Sequence, residues 1–212
     1  MTEEDKYAAA LQAAIGYFKA AGYTWDEASS TFTAAPEGAK LSYECMIPAD
    51  GIGDHPNFGI LTDASAALAT IGIELKVNDL ADSAVLWEVM DVGTQELWSA
   101  AWSASIDPDM YQIYHSTSII GAGGSDSNHY HIAEDELDAL IVEARTSDDQ
   151  SFRKAIYKQA LDFIVDYAVE IPVYQRQNCV IFSTERVNID TVTPDLTPFY
   201  GWMAEIENME MR

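Results

Sequence analysis

Positive charge is what this sequence has least of. Its 212 residues carry 11 Lys and Arg against 35 Asp and Glu, a formal net charge of −24. A chain this acidic is repelled by phosphate backbones and by anionic membrane surfaces, which excludes nucleic acid as an expected partner. Cysteine is nearly as scarce. Cys45 and Cys179 make no disulfide framework. Both lie in apolar, strand-like runs, so two buried free thiols are expected rather than a bridge. Long hydrophobic runs are missing too. The longest uncharged stretch, residues 110–125, is rich in Ser, Thr and Gly, and falls short of the roughly 18 apolar residues of a membrane span. The start, Met1-Thr2-Glu3-Glu4-Asp5, is acidic where a secretory signal is basic. Taken alone, that suits a cytoplasmic protein or a piece cut from a longer chain. Gly-x-Ser-x-Gly, His-Glu-x-x-His and a phosphate-cradling Walker loop are all absent. Core material is not lacking. Hydrophobic residues are 48% and aromatics 11% of the chain, which excludes disorder and suits one large domain or two small ones with no disulfide or metal staple.

Periodicity predicts an α/β order. Ala10, Leu11, Ala14, Ile15 and Phe18 recur at helical spacing, with Thr2 able to cap the start and Gly22 to stop the helix. Residues 24–38 read as loop. Residues 41–47 alternate as a strand, residues 57–70 as a helix, and Ile73, Leu75 and Val77 mark a second strand. A short helix follows at 83–91. Residues 96–102 read as a third strand, apolar enough to be central. This order implies parallel strands in one sheet covered on both faces. Residues 103–130 are irregular, and a loop that long in a compact domain usually carries function. Leu137, Leu140, Ile141 and Ala144 mark the next helix. Ser147-Asp148-Asp149-Gln150 reads as a capping box for another, with Phe152, Ile156, Ala160, Phe163 and Tyr167 as its buried stripe. Residues 171–182 read as extended, and the tail as loop with a short strand.

The irregular loop concentrates the candidate chemistry. Gly121-Ala122-Gly123-Gly124 does not open a helix behind a strand and reads as a loop rather than a phosphate cradle. His129 and His131, two apart, with Asp107 and Asp109 nearby, are a possible metal set for Zn²⁺ or Ni²⁺ or a polar turn. Asp107-Pro108-Asp109 is either a carboxylate pair or the cap of a helix beginning near Met110. Trp87, Trp98, Trp102, Tyr111, Tyr114 and Tyr130 crowd around the loop. For Trp87 and Trp98 a core role is equally consistent. Trp102 and the residues after it leave the strand at its carboxyl end, where open α/β sheets bind ligands.

The order of these motifs resembles the C-terminal part of the family 5 solute-binding proteins of ABC importers, the dipeptide-, oligopeptide- and nickel-binding receptors. The likeness rests on Ala21-Gly22-Tyr23 closing the first helix, the Ile71-Gly72-Ile73-Glu74-Leu75 junction, and Trp102 followed by Asp107-Pro108-Asp109. It continues through Asn128-His129-Tyr130, the paired helices with Glu136-Leu137-Asp138, Arg145, Asp148, Arg153 and Tyr157, and Ile171-Pro172-Val173-Tyr174. The resemblance implies a periplasmic-binding-protein-like (type II) lobe with a central mixed, mostly parallel sheet flanked by helices. It implies that residues 1–174 are part of the second lobe of a hinged clamp, and that residues 175–212 return toward a first lobe outside this chain. It further implies an extracytoplasmic binding protein, periplasmic or a surface lipoprotein, that hands a peptide or other small solute to a membrane permease. No catalysis, cofactor or metal is implied. The ligand-binding residues it implies are Trp102, Ser103, Ser105, Asp107, Tyr111, Asn128 and Tyr130. Peptide-binding relatives often carry an Asp three residues after the Trp, where Ser105 stands here, so Asp107 is the expected substitute. A nickel or metal-chelate receptor on the same fold is the alternative, and a metal-dependent hydrolase using Asp107, Asp109, His129 and His131 is a third reading.

Overall fold

The computed structural model describes every residue except Ala104, Arg176 and Asn178. The chain divides into two compact units, Met1–Ala101 and Trp102–Arg212.

The first unit opens with α1, Glu3–Ala20. Thr2 and Asp5 form a reciprocal cap: the Asp5 N–H donates to Thr2 Oγ1 at 3.1 Å and the Thr2 N–H to Asp5 Oδ2 at 2.9 Å. Three acids in the first turn and Lys19 in the last complement the helix dipole. The stretch expected to be loop is instead a hairpin, with β1 (Thr24–Asp26) antiparallel to β2 (Thr31–Ala34). Its turn is held by Asp26, whose carboxylate accepts from the Ala28 N–H and the Ser29 hydroxyl. The hairpin exists because it has a core to cover. Phe32 is buried with Ile15, Ile71 and Ile73, and the Trp25 ring meets it edge-on at 4.9 Å. Gly72 lies at φ +83°, and a Cβ there would stand 2.7 Å from the Phe32 carbonyl oxygen. Only glycine permits both that backbone and that approach.

Three parallel strands form the sheet, in the order β4 (Glu74–Asp79), β3 (Ser42–Ile47), β5 (Leu97–Trp98). Helix α2 (Pro56–Ala69) links β3 to β4, and α3 (Ala84–Val92) links β4 to β5. The expected third strand is two residues long and lies at the edge, with β3 in the centre. One further rung, Ser99 N–H to Met46 O, extends its pairing. At the start of that edge the Glu96 carboxylate, not a backbone carbonyl, accepts the Glu44 N–H at 2.8 Å. Leu97 is accordingly 44% exposed. Trp98 packs beside the buried Leu80, Leu86 and Met90, whereas Trp87 is exposed.

The second unit is helical. α4 (Tyr111–Tyr114) and a 3-10 turn (Ser116–Ser118) lead to α5 (Asp135–Ala144) and α6 (Gln150–Tyr167). The cap of α6 is Asp149, which accepts from Ser151 and Phe152, while Ser147 accepts only the Asp149 N–H. The buried stripe of α6 is Tyr157, Ala160 and Ile164, with Ile156 and Phe163 flanking it. Tyr157, Ala160 and Ile164 pack with Leu137, Ile141 and Ala144 of α5, and with Met110 and Ile132. Against expectation, Tyr167 is exposed. Residues 171–182 form no strand among those described, and Ile171 and Ile181 are 83% and 90% exposed. An extended backbone becomes a strand only with a partner to bond. The tail carries 3-10 turns at Ile189–Thr191 and Ile206–Asn208 and one antiparallel bridge, Val187 to Met211. Among the described residues no helix is long and apolar enough to cross a membrane.

The two thiols differ. Both are free, but Cys45 is buried in β3 and Cys179 is exposed, which corrects the expectation that both are buried. Burial pushes the Cys45 thiol up to about 11. At pH 8 an alkylating reagent should therefore modify Cys179 quickly and Cys45 only on unfolding. Two fast thiols would contradict the packing of β3.

No Asp or Glu is among the buried residues described, so the charge of −24 lies at the surface as net self-repulsion. Raising salt from 0.1 to 1 M shortens the screening length from about 10 Å to about 3 Å. The thermal midpoint should rise by several degrees (roughly 5 °C or more) over that range. A midpoint that stayed flat or fell would show that self-repulsion does not limit stability.

Candidate functional site

The irregular segment between residues 103 and 134 keeps its shape through polar groups turned inward. Asn128 is the centre of it. The side chain is 0% exposed, and its Nδ2 reaches the carbonyl oxygens of Ile132 at 2.9 Å, His115 at 3.2 Å and Tyr114 at 3.3 Å. Its Oδ1 accepts the Ile132 N–H at 3.3 Å, and its own N–H donates to Ser118 O at 2.9 Å. These bonds tie the end of α4 to the approach of α5. Asn128 was expected to line the ligand rim. Its side chain is buried, with the amide hydrogen-bonded within the loop.

A second tie comes from α5. Asp138 accepts the Ser116 N–H at 2.9 Å and also the Ser116 hydroxyl. Ser118, also fully buried, donates to Tyr111 O. The glycine run folds back on this core. A Cβ at Gly124 would stand 2.3 Å from the Thr117 carbonyl oxygen, so backbone packs on backbone there. His115 is buried and stacks on Tyr111 with ring centroids 4.0 Å apart. His129 is buried and His131 is exposed. Among the described residues no group of three or more His, Cys, Asp or Glu is placed to hold a metal ion.

The two acids of Asp107-Pro108-Asp109 are each matched to an arginine. Asp107 pairs with Arg153 of α6. Asp109 Oδ2 lies 3.3 Å from Arg145 Nε, while its Oδ1 accepts the Tyr111 N–H at 3.1 Å. Asp109 therefore holds the first N–H of α4 from just before the cap position, Met110. Asp107 and then Tyr157 hold the Arg153 guanidinium more firmly protonated than usual. The Arg145 guanidinium also sits 4.5 Å from the centre of the Tyr111 ring, a cation–π contact. An open cleft of about 560 Å³ borders these groups, lined by both acids, both arginines and residues 146–148.

A third cluster brings distant residues together. The Tyr114 and Tyr130 rings stack nearly parallel, 5.6 Å apart. Both hydroxyls donate to one oxygen of Glu170, at 2.6 and 3.1 Å. The Trp102 side chain in turn hydrogen-bonds Tyr130. Burial, reinforced by Glu170, raises both phenols well above their ordinary range, so they remain donors at any physiological pH. The result is a chain of contacts from Trp102 through Tyr130 to Glu170, with Tyr114 on the same carboxylate.

Of the expected ligand residues, Trp102 and Tyr130 thus converge. Trp102 is 51% exposed. Asp107 and Tyr111 belong to the neighbouring arginine cluster. Ser103 and Ser105 are exposed, with the Ser105 hydroxyl turned to Asp107 O. Sequence reasoning did not assign Glu170 or the roles of Arg145 and Arg153. Tyr114 stood out only as one of several aromatics.

No family model matches this sequence, and no curated protein does. Solved structures do. The chain is similar to the oligopeptide-binding protein AppA of Bacillus subtilis in complex with a nonapeptide, with a TM-score of 0.57 and 21% identity over 71% of this chain and 28% of that one. It is similar to NikZ of Campylobacter jejuni in complex with Ni(L-His), with a TM-score of 0.58 and 18% identity over 75% of this chain and 30% of that one. NikA of Brucella suis, in complex with Fe(III)-EDTA, gives a TM-score of 0.53 and 21% identity over 72% and 29% of the two chains. The chain spans less than a third of the length of these structures. The likeness establishes the fold: an α/β portion of a periplasmic-binding-protein-like (type II) architecture. These neighbours are binding proteins rather than enzymes.

Asn128→Ala should leave the Ile132 N–H and two loop carbonyls unpaired in a buried site. The cost should be about 2 kcal/mol or more in denaturant unfolding. A change below about 0.5 kcal/mol would mean the loop does not depend on this amide.

Proposed function

We propose that this chain is the ligand-contacting part of the second lobe of an extracytoplasmic solute-binding protein serving an ABC importer, and that its solute is an oligopeptide. Residues 1–174 belong to that lobe, and residues 175–212 return toward a first lobe. The exposure of Ile171, Val173, Tyr174 and Ile181 supports such a return, because an apolar extended segment is stable when another surface covers it. The solute is captured by closure of two lobes and released to a permease, with no covalent step.

The observation that carries this reading is the shared fold with a peptide-bound oligopeptide-binding protein over 71% of the chain. The exposed Trp102 and the half-buried Tyr130 agree with it, since a peptide held along its backbone needs apolar walls with a few fixed polar groups. Asp107, the acid expected to meet the solute, is ion-paired with Arg153. A second reading has its own support: the similarity to nickel-chelate and iron-chelate complexes is of the same order. A receptor for a metal chelate would hold the chelate's organic part.

Thermal unfolding of the complete two-lobed receptor separates the two. A solute at one hundred times its dissociation constant should add about 2.7 kcal/mol and raise the midpoint. Peptides of several lengths should raise it, with nickel–histidine and sugars without effect. A shift with the nickel–histidine complex alone would overturn the peptide reading in favour of the chelate.

A further inference from the structure

The acids around the candidate site are not equivalent. Asp107 and Asp109 are each paired with an arginine. Glu170 is exposed, and no Lys, Arg or His forms an ion pair with it among the described residues. One of its oxygens, Oε2, takes both tyrosine hydroxyls. Oε1 accepts no hydrogen bond among the described residues. The carboxylate is therefore fixed in direction by two neutral donors. Beside it stand the mutually stacked rings of Tyr114 and Tyr130, whose hydroxyl ends meet the carboxylate, and, through Tyr130, the indole of Trp102. A carboxylate fixed in direction attracts a compact cation and repels an anion.

We propose that Glu170, oriented by Tyr114 and Tyr130, is the charged anchor of the solute and receives a primary ammonium group at its open oxygen. This inference rests on the solute-binding reading and names the recognised group. Two sources share that chemistry, the amino terminus of a peptide and a lysine side chain. The site differs from the one the sequence pointed to. There Asp107 was the expected anion, but Arg153 already neutralises it.

The test is a double-mutant cycle between protein and solute in the complete receptor, read by calorimetry. The probe is a degenerate nonapeptide library with one fixed central lysine, used free, acetylated at the amino terminus, or acetylated at lysine Nε. Wild-type receptor should bind the free library at least about tenfold more tightly than one of the acetylated forms, and which form loses affinity identifies the source of the ammonium. Glu170→Gln keeps an acceptor for both phenols and removes the charge. It should bind free and acetylated libraries alike, at the affinity wild type has for the weaker form. If Glu170→Gln weakened every library by the same factor, Glu170 would only brace the loop and the proposal would fall while the solute-binding reading stood. An unchanged preference for the free amine in the variant would overturn it in the same way. No binding of any library by wild type would overturn both.

Discussion

The buried amide of Asn128 is the constraint on which the site depends. Residues between α4 and α5 have almost no regular secondary structure to fix them, and their backbone groups must be satisfied somewhere. Asn128 does this from inside the loop, holding three carbonyls and one N–H within hydrogen-bond reach. Two of those carbonyls belong to Tyr114 and His115, so the same bonds set where the Tyr114 ring stands. Ile132, whose N–H and carbonyl complete the set, is in the core that α5 and α6 share. The aromatic cluster is thus anchored to the helical core through one polar side chain.

From that anchor the electrostatics divide into two regions. Near α6 the acids of Asp107-Pro108-Asp109 are balanced by Arg153 and Arg145, which makes this a structural corner. Farther along, Glu170 follows the left-handed turn at Ala168, φ +57°, which ends α6 and directs the chain toward the tyrosines. Among the described residues its side-chain partners are two neutral phenols. In a chain with 24 more acids than bases, one more carboxylate is unremarkable by composition. What distinguishes this one is that two side chains from a distant loop fix its orientation.

Much of the fold was legible in the sequence, because it follows from periodicity. The helices at 3–20, 56–69, 84–92, 135–144 and 150–167 and the strands around Cys45 and Leu75 each display an apolar pattern or a cap. The hairpin through Trp25 and Phe32 was not legible. Its strands are three and four residues long, and its turn is set by the Asp26 side chain rather than by an Asn-Gly or Gly pair. The third strand was overestimated because apolar content alone does not supply a neighbour to pair with. The stripe on α6 was read one position away from its true centre, Tyr157 and Ile164, since aromatics at either position fit a helical period. At the site, Trp102 and Tyr130 stood out as aromatics in a long loop. The burial of Asn128 was not legible, because a loop Asn has the same appearance in sequence whether it faces solute or backbone. Glu170 gave no signal, being one acid among 35 Asp and Glu, and its partners lie 40 and 56 residues away.

The central claim is that the face formed by Trp102 and Tyr130 meets a peptide. Fluorine NMR of the complete receptor labelled with fluorotryptophan tests it most directly, with the Trp102 resonance assigned by Trp102→Phe. Titration with a nonapeptide library should move that resonance in a saturable way, at concentrations that match the calorimetric binding curve. A Trp102 resonance that stayed fixed while calorimetry recorded peptide binding would place the solute elsewhere and contradict the account.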